Sequence, residues 1–180
     1  VDSTSGIPEA ARLQAEKLKL RNVAFLDAPV SGQTIGAENA TLTFMVGGDK
    51  EAFQSALLAM QTLGTLIKHV GDSGSGFAVK AVNNMLLAVH LCAAAEGFTT
   101  LKAHGVNLNE ALECINASSG KSGVTENVLP QRVVRDAKLS APVIGLTQSL
   151  IQAANDSLDV NSDFSAAVKM YESWSKITLE

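Results

Sequence analysis

The chain has 180 residues, 46% of them hydrophobic, which predicts one large or two small globular domains with a substantial core. The formal net charge of −4, the 4% aromatic content and the lack of a basic run argue against nucleic acid as a partner. Cys92 and Cys114 fall inside predicted helices, so we expect buried thiols in a reducing compartment. The three histidines lack metal-ligand spacing and no signal peptide is recognisable, so we expect no metal and a cytoplasmic location.

Helical and strand patterns alternate over the first 71 residues. Pro8 opens a predicted helix reaching Leu20, and Asp49 caps a second one reaching about Leu63. Strands are predicted at the apolar runs 23–26, 41–46 and 65–70, and the first residues resemble the end of a further strand. The order is strand, helix, strand, loop, strand, helix, strand, which is typical of an α/β layer domain.

From Gly74 onward the pattern is helical. Residues 77–103 contain no proline and are apolar on every face, which predicts one long buried helix. Polar residues interrupt the apolar run, so we expect a core helix and no membrane span. Shorter helices are predicted at about 107–117, 125–134, 142–157 and 163–177. We therefore divide the chain into an α/β part, 1–71, and a helical part, 72–180.

Polar groups that suit chemistry occur near the start of the long helix. Lys80 and Asn84 stand four residues apart and project from the same face, beside glycines that allow a ligand close to the backbone. Such a lysine can transfer protons if its pKa is depressed. The same pattern also fits a lysine that extends to solvent at a domain edge and an asparagine that makes a local hydrogen bond.

Two loops can contribute further groups. Ser31 and Gly32 follow a strand that Pro29 ends, so the hydroxyl and nearby backbone N–H groups can bind a carboxylate, although an ordinary turn fits equally. Lys121, in the loop Gly120-Lys121-Ser122, offers a second cation, although such loops are often simply solvated.

Taken together and in this order, these segments resemble the β-hydroxyacid dehydrogenase family, which includes 3-hydroxyisobutyrate dehydrogenase and tartronate semialdehyde reductase. Residues 25–32 resemble its substrate-binding signature and residues 41–48 the strand that follows. The residues matching its glycine-lysine-asparagine catalytic motif are Gly74, Gly76, Lys80 and Asn84. The resemblance covers nearly the whole chain and implies an incomplete Rossmann-like domain followed by a helical substrate and dimerisation domain, joined by the long helix.

The resemblance also implies residue roles. Lys80 would be the general acid/base while hydride moves to or from NAD or NADP, and Asn84 would orient the substrate. The substrate carboxylate would bind at Ser31 and Gly32, the nicotinamide would lie near Gly74 and Gly76, and Lys121 would serve the substrate end. The expected partners are a small hydroxy acid or its semialdehyde and further copies of the chain in a homodimer or homotetramer.

The chain departs from the family pattern at two places. The G-x-G-x-x-G turn of the cofactor site is absent from the sequence, so we expect these 180 residues alone to bind dinucleotide poorly and to be inactive. The residue that selects NAD or NADP would lie in that missing segment, and a mitochondrial targeting peptide could have been lost with it. Between Asp136 and Ala137 the sequence resembles a deletion of a segment that carries a lysine-aspartate pair.

Two other functions fit the sequence. Residues 89–91 and 125–130 also resemble the branch that acts on four-carbon sugar acids such as threonate, with His90 either at the substrate or a core histidine. In a different class, the apolar long helix suits a non-catalytic dimerisation module.

Overall fold

The computed structural model describes residues 1–131, 150, 153 and 168–178. Contacts divide the chain into two compact units, Val1–Leu86 and Leu87–Glu180. The first unit is mixed α/β, and the described elements of the second are helical, so the predicted change of class along the chain is confirmed. The contact boundary lies inside the long helix, whereas we placed the domain boundary at residue 72, which stays a prediction.

The first unit is a small sheet with three helices besides the start of the long one. The helices are α1 (Pro8–Lys19), α2 (Gln33–Glu38) and α3 (Lys50–Gln61), and the strands are β1 (Leu26–Asp27), β2 (Val30–Ser31), β3 (Leu42–Gly48) and β4 (Gly64–Gly71). The strand β3 is central, since β1 and β2 pair with it antiparallel and β4 pairs with it in parallel. Asp2 adds an isolated parallel bridge to Asp27, as expected for the end of a further strand.

The core of this unit forms around β3. Buried and half-buried side chains alternate along its first five residues, because successive side chains of a strand point to opposite faces. Phe44 and Val46 pack there with Phe53 and Met60 of α3. The helix α3 begins where predicted, since the carboxylate of Asp49 accepts the backbone N–H of Ala52 at 2.8 Å.

The first predicted strand is wrong in its position. Residues 23–26 were expected to be extended, whereas β1 begins only at Leu26. Val23 still donates its backbone N–H to the carbonyl of Leu18 at 3.1 Å and is exposed, so the chain is leaving α1 at this point. After Pro29, β2 resumes the pairing with β3.

The loop before β3 contains the helix α2, which was not predicted. It is six residues long, has no side-chain cap and contains Gly36, all of which weaken the sequence signal. A Cβ at Gly36 would lie 3.3 Å from the side chain of Leu42, so the glycine lets α2 pack closely on β3.

The long helix, α4 (Ser75–Ala103), is present as predicted, but the expectation that it is buried is wrong. Its middle, residues 79–91, is solvent-exposed although it is apolar: Val82 is 52% exposed and Met85 56%. Composition alone cannot distinguish a helix packed in a core from one whose partner lies outside the chain. By length and hydropathy α4 also qualifies as a possible membrane span, which for one helix is weak evidence.

The second unit continues with α5 (Leu108–Asn116), α6 (Gly123–Asn127), a 3₁₀ turn (Leu129–Gln131) and α7 (Val168–Ser175). Its described core consists of Phe98, Leu112, Val124 and Leu129. Asn107 caps α5 as predicted, although through the N–H of Asn109, and Gly105 before it has φ +74°.

Other predictions for this unit have mixed outcomes. The helix expected from residue 125 begins at Gly123, because Ser122 and Thr125 form a capping box, and it is followed by the 3₁₀ turn. The predicted helix 142–157 lies outside the described residues, apart from residues 150 and 153. The proposed deletion after Asp136 also lies outside them. The described part of the predicted helix 163–177 contains α7.

The prediction that Cys92 and Cys114 are buried is wrong, since both are free and exposed. Both lie on helices, but on surfaces that the described residues leave uncovered.

Candidate active site

The turn after β2 carries the predicted carboxylate-binding pair. Ser31 is half-buried and pairs with Thr43, while Gly32 is exposed and has φ +134°, which favours glycine. Within the described parts of the chain, the Ser31 hydroxyl makes no hydrogen bond. The hydroxyl is therefore available to a ligand.

Lys80 and Asn84 lie on successive turns of α4. Lys80 is half-buried and Asn84 is exposed, and the amide of Asn83 donates to Asn84 Oδ1 at 3.4 Å, which is a long hydrogen bond. The ion pairs among the described residues do not include Lys80. Its side chain is thus free of an ion pair with the described residues, and its predicted catalytic role stays a prediction.

The two motif glycines have a clear packing role. Gly74 is buried with φ +94°, and a Cβ there would lie 2.7 Å from the carbonyl oxygen of Pro8. A Cβ at Gly76 would overlap the carbonyl oxygens of Asp27 and Met45. Both glycines allow the start of α4 to sit directly on neighbouring backbone, and their predicted place beside a nicotinamide stays a prediction.

Asp27 is a buried acidic residue beside the start of α4 for which the sequence predicted no role. It is 0% exposed, and its carboxylate accepts the backbone N–H groups of Gly74 at 2.7 Å and Phe77 at 3.0 Å. These groups belong to the start of α4, where four backbone donors lack partners within the helix. The signal in the sequence was a lone acidic residue in an apolar run immediately before Ala28-Pro29.

Lys121 belongs to the second unit, where it pairs with Glu126 at 2.8 Å; both side chains are about half exposed. Such a pair contributes at most about 1 kcal/mol. Lys121 also lines a cavity of about 570 Å³, together with His90, Phe98 and Thr125. His90 is exposed at this cavity, so its interpretation as a core histidine is wrong.

The start of α4 is not open to the pyrophosphate of a dinucleotide. The start of α4 could have offered N–H groups to a phosphate, but those of Gly74 and Phe77 are already bound by Asp27, and the sequence contains no G-x-G-x-x-G turn. The groups that remain free, the Ser31 hydroxyl and the Lys80 ammonium, suit an anionic hydroxy acid. In the described part of the chain, no three His, Cys, Asp or Glu side chains cluster as metal ligands.

Comparison with known families identifies the class of protein. Residues 1–71 match the model described as the NAD binding domain of 6-phosphogluconate dehydrogenase. Residues 74–137 match the model described as NAD-binding of NADP-dependent 3-hydroxyisobutyrate dehydrogenase. The two matches divide the chain between a Rossmann-like NAD-binding domain and a helical domain, which confirms the predicted fold class.

Individual relatives agree with this class. The chain is 32% identical over 186 residues to the mitochondrial 3-hydroxyisobutyrate dehydrogenase of Drosophila melanogaster. The alignment covers 96% of this chain and 56% of the relative. It is 38% identical over 168 residues to the NAD-dependent L-serine dehydrogenase of Pseudomonas aeruginosa, covering 86% of this chain and 56% of the relative.

A solved structure is also similar. The 3-hydroxyisobutyrate dehydrogenase of Mycobacterium tuberculosis, determined with L-serine, matches with a TM-score of 0.68 and 27% identity over 97% of this chain and 64% of that one. The chain therefore belongs to the β-hydroxyacid dehydrogenase family and is 3-hydroxyisobutyrate dehydrogenase-like. It spans about half the length of the curated relatives it matches. The predicted cofactor class, NAD or NADP, is confirmed at the level of the family.

Proposed function

We propose that the full-length protein is an NAD(P)-dependent dehydrogenase that interconverts a small hydroxy acid and its aldehyde or keto form. The observation that carries this proposal is Lys80, a half-buried lysine without a counterion in the described residues, one turn after the buried start of α4. The family membership supplies the reaction class, and the free hydroxyl of Ser31 supplies a group for the substrate.

The proton is the part of the reaction that this chain's residues handle. The bound cofactor supplies the hydride acceptor in the oxidation direction and the hydride donor in the reverse. Lys80 as a neutral amine accepts the proton of the substrate hydroxyl, and as an ammonium it returns that proton to the carbonyl oxygen. Asn84, one turn further, holds the same oxygen or its neighbour by a hydrogen bond and so orients the substrate beside Lys80.

The substrate carboxylate binds at the turn after β2 in this proposal. The Ser31 hydroxyl and the backbone near Gly32 donate hydrogen bonds to it, and Gly32 provides the exposed, positive-φ position that keeps the turn accessible. The predicted substrate-binding role of Lys121, which pairs with Glu126 within the second unit, stays a prediction.

The test uses the full-length gene product and a panel of substrates: 3-hydroxyisobutyrate, L-serine and threonate, each with NAD and with NADP. Lys80→Ala is expected to lower kcat at least about 100-fold, because general acid/base catalysis contributes that much or more. Lys68→Ala, which removes an exposed lysine of β4, is the control and is expected to leave kcat within about twofold. An unchanged kcat in Lys80→Ala contradicts the proposal.

The panel also separates the branches of the family. Preferred turnover of threonate would favour the four-carbon sugar-acid branch, which residues 89–91 and 125–130 also resemble. A preference for 3-hydroxyisobutyrate or L-serine would favour the branch of the relatives found above. The compartment, cytoplasmic or mitochondrial, is a separate prediction that fractionation of cells decides.

The 180 residues by themselves are proposed to be inactive, because their sequence contains no G-x-G-x-x-G turn and Asp27 binds the N–H groups of Gly74 and Phe77 at the start of α4. Titration calorimetry of the purified 180-residue chain with NAD and NADP is expected to show no saturable binding at micromolar concentrations. Tight binding and turnover by this chain would show that another segment replaces the missing turn.

A second role is supported by the exposed middle of α4. Its apolar side chains, among them Val82, Met85 and Leu86, are about half exposed in the described chain. Large contiguous apolar surfaces of this kind usually mark interfaces. We therefore propose that a second copy of the chain covers residues 79–91 and that the protein is a homodimer or a homotetramer built from such dimers.

Sedimentation equilibrium tests this role. The wild-type chain is expected to sediment as a dimer or larger, and Leu86→Glu as a monomer, because a charge would be buried without a partner. Leu58→Glu, at a 78% exposed leucine of α3, is the matched control and is expected to leave the association unchanged. A monomeric wild-type protein contradicts the dimer, and dimer formation by a full-length gene product that binds no cofactor favours the non-catalytic module.

A further inference from the structure

Asp27 is a buried carboxylate with an unusual set of partners. It is 0% exposed, and the ion pairs of the described residues do not include it. Its two oxygens are divided between two backbone donors: Oδ1 accepts from Gly74 N–H and Oδ2 from Phe77 N–H. The negative charge is therefore stabilised by the positive end of α4, and in return it caps that helix from a strand 47 residues earlier in the chain.

The contact between this carboxylate and the helix has little freedom to shift. A Cβ at Gly47 would lie 2.7 Å and 2.8 Å from the two carboxylate oxygens and 2.8 Å from the backbone nitrogen of Gly76, so the carboxylate lies tightly against β3 beside the start of α4. On the helix side, Gly76 lies against the backbone of Asp27 and Met45 so closely that a methyl group would not fit. These contacts restrict rotation of the first turn of α4 about the helix axis. They also restrict its movement toward or away from β1 and β3.

Lys80 follows this turn directly. It lies three residues after Phe77, which is a rise of about 4.5 Å and less than one full turn of helix. A rotation or slip of the first turn would move the Lys80 ammonium by a similar amount, because no flexible residue separates them within the helix. A misplacement of about 1 Å in a reacting group can lower a rate about 100-fold.

We propose that Asp27 is a positioning residue for Lys80: its carboxylate sets the start of α4 and thereby the place of the amine that transfers the proton. This inference rests on the proposed function of Lys80. It differs from a general role in stability, because it predicts that the effect of Asp27 on turnover depends on the presence of the Lys80 amine.

A double-mutant cycle in the full-length gene product tests the dependence. Asp27→Asn retains the shape but provides one acceptor oxygen for two N–H donors, and its amide nitrogen faces the second donor. We expect kcat to fall at least tenfold, with KM changed less than twofold. In the Lys80→Ala background the same substitution is expected to change the residual kcat less than twofold.

The control is Asp49→Asn. Asp49 caps α3 through one N–H, and asparagine caps equally well, so kcat is expected to stay within twofold in both backgrounds. If Asp27→Asn does not fold, Asp27→Ser takes its place in the same cycle, since it retains a small acceptor and adds no bulk.

The outcomes separate the two proposals. If Asp27→Asn lowers kcat equally in both backgrounds, or leaves it unchanged while Lys80→Ala lowers it, the positioning role is overturned and the proposed function stands. If Lys80→Ala leaves kcat unchanged, the proposed function fails and the positioning role fails with it.

Discussion

The first turn of α4 and the middle of the same helix differ in what surrounds them, although both are rich in small and apolar residues. At the start, Gly74, Gly76 and Phe77 are buried, and the carboxylate of Asp27 accepts the N–H groups of Gly74 and Phe77. In the middle, residues 79–91 are largely exposed. One helix thus has a start that packs within its own chain and a middle that the described residues leave uncovered, and the predictions below test that contrast.

The largest effect is expected at the start of the helix. Gly76→Ala would push a methyl group into the carbonyl oxygens of Asp27 and Met45 and is expected to destabilise the first unit by about 3 kcal/mol. Its matched control is Gly97→Ala in the same helix, where nothing lies within 4 Å of the new Cβ. That change is expected to stabilise by about 0.5–1 kcal/mol. Urea unfolding measures both, and equal effects would contradict the difference between the two regions.

The next effect concerns the buried carboxylate. Asp27→Asn is expected to lower the free energy of unfolding by about 2 kcal/mol, because one buried N–H donor loses its acceptor. Asp49→Asn, at the exposed cap of α3, is expected to cost less than about 0.5 kcal/mol. If thermal and urea unfolding show the same loss of unfolding free energy for the two variants, the burial of Asp27 adds nothing to the stability of the cap.

A smaller effect is expected from the exposed middle. If a second copy covers residues 79–91, each tenfold rise in protein concentration stabilises the dimer by about 1.4 kcal/mol. The melting temperature of the wild-type chain should therefore rise with concentration, and that of Leu86→Glu should not. Calorimetry over a hundredfold range of concentration checks this, and a constant wild-type melting temperature would show that the middle is uncovered in solution.

The smallest effect is expected at Asp2, near the start of α4. Its backbone forms hydrogen bonds with Leu26 and Ala28, on either side of Asp27. The hydroxyl and N–H of Thr4 hold the pKa of the Asp2 carboxyl below its usual 3.8. A lowered pKa in the folded state contributes stability above the unfolded pKa, and this contribution is lost as the pH falls through the folded value.

The difference in unfolding free energy between wild type and Asp2→Asn is thus expected to be a few tenths of a kcal/mol near pH 6 and to disappear below about pH 3. Urea unfolding across this range measures it. A difference that grows as the pH falls would have the wrong sign for this hydrogen bond.

Much of the fold could be predicted from local sequence. Period-two burial in β3, the cap at Asp49 and the proline-free run of α4 are short-range signals, and each element appeared where they placed it. The helix α2 and the true start of β1 were missed, because a six-residue uncapped helix and a two-residue strand depend on packing against β3.

The candidate site divides in the same way. Lys80, Asn84, Ser31 and Gly32 could be named from motifs, and the spacing of four already placed Lys80 and Asn84 on one helical face. Asp27 was present in the same motif but had no predicted role, because its partners lie 47 and 50 residues away.

The sequence by itself determined the change from an α/β to a helical pattern, the family and the candidates for transferring a proton or binding a carboxylate, since these depend on residue type and short spacing. The tertiary structure decided which surfaces are covered. It buried the start of α4, left its middle and both cysteines exposed, and joined Asp27 to the helix, because burial depends on which distant segments of the chain meet.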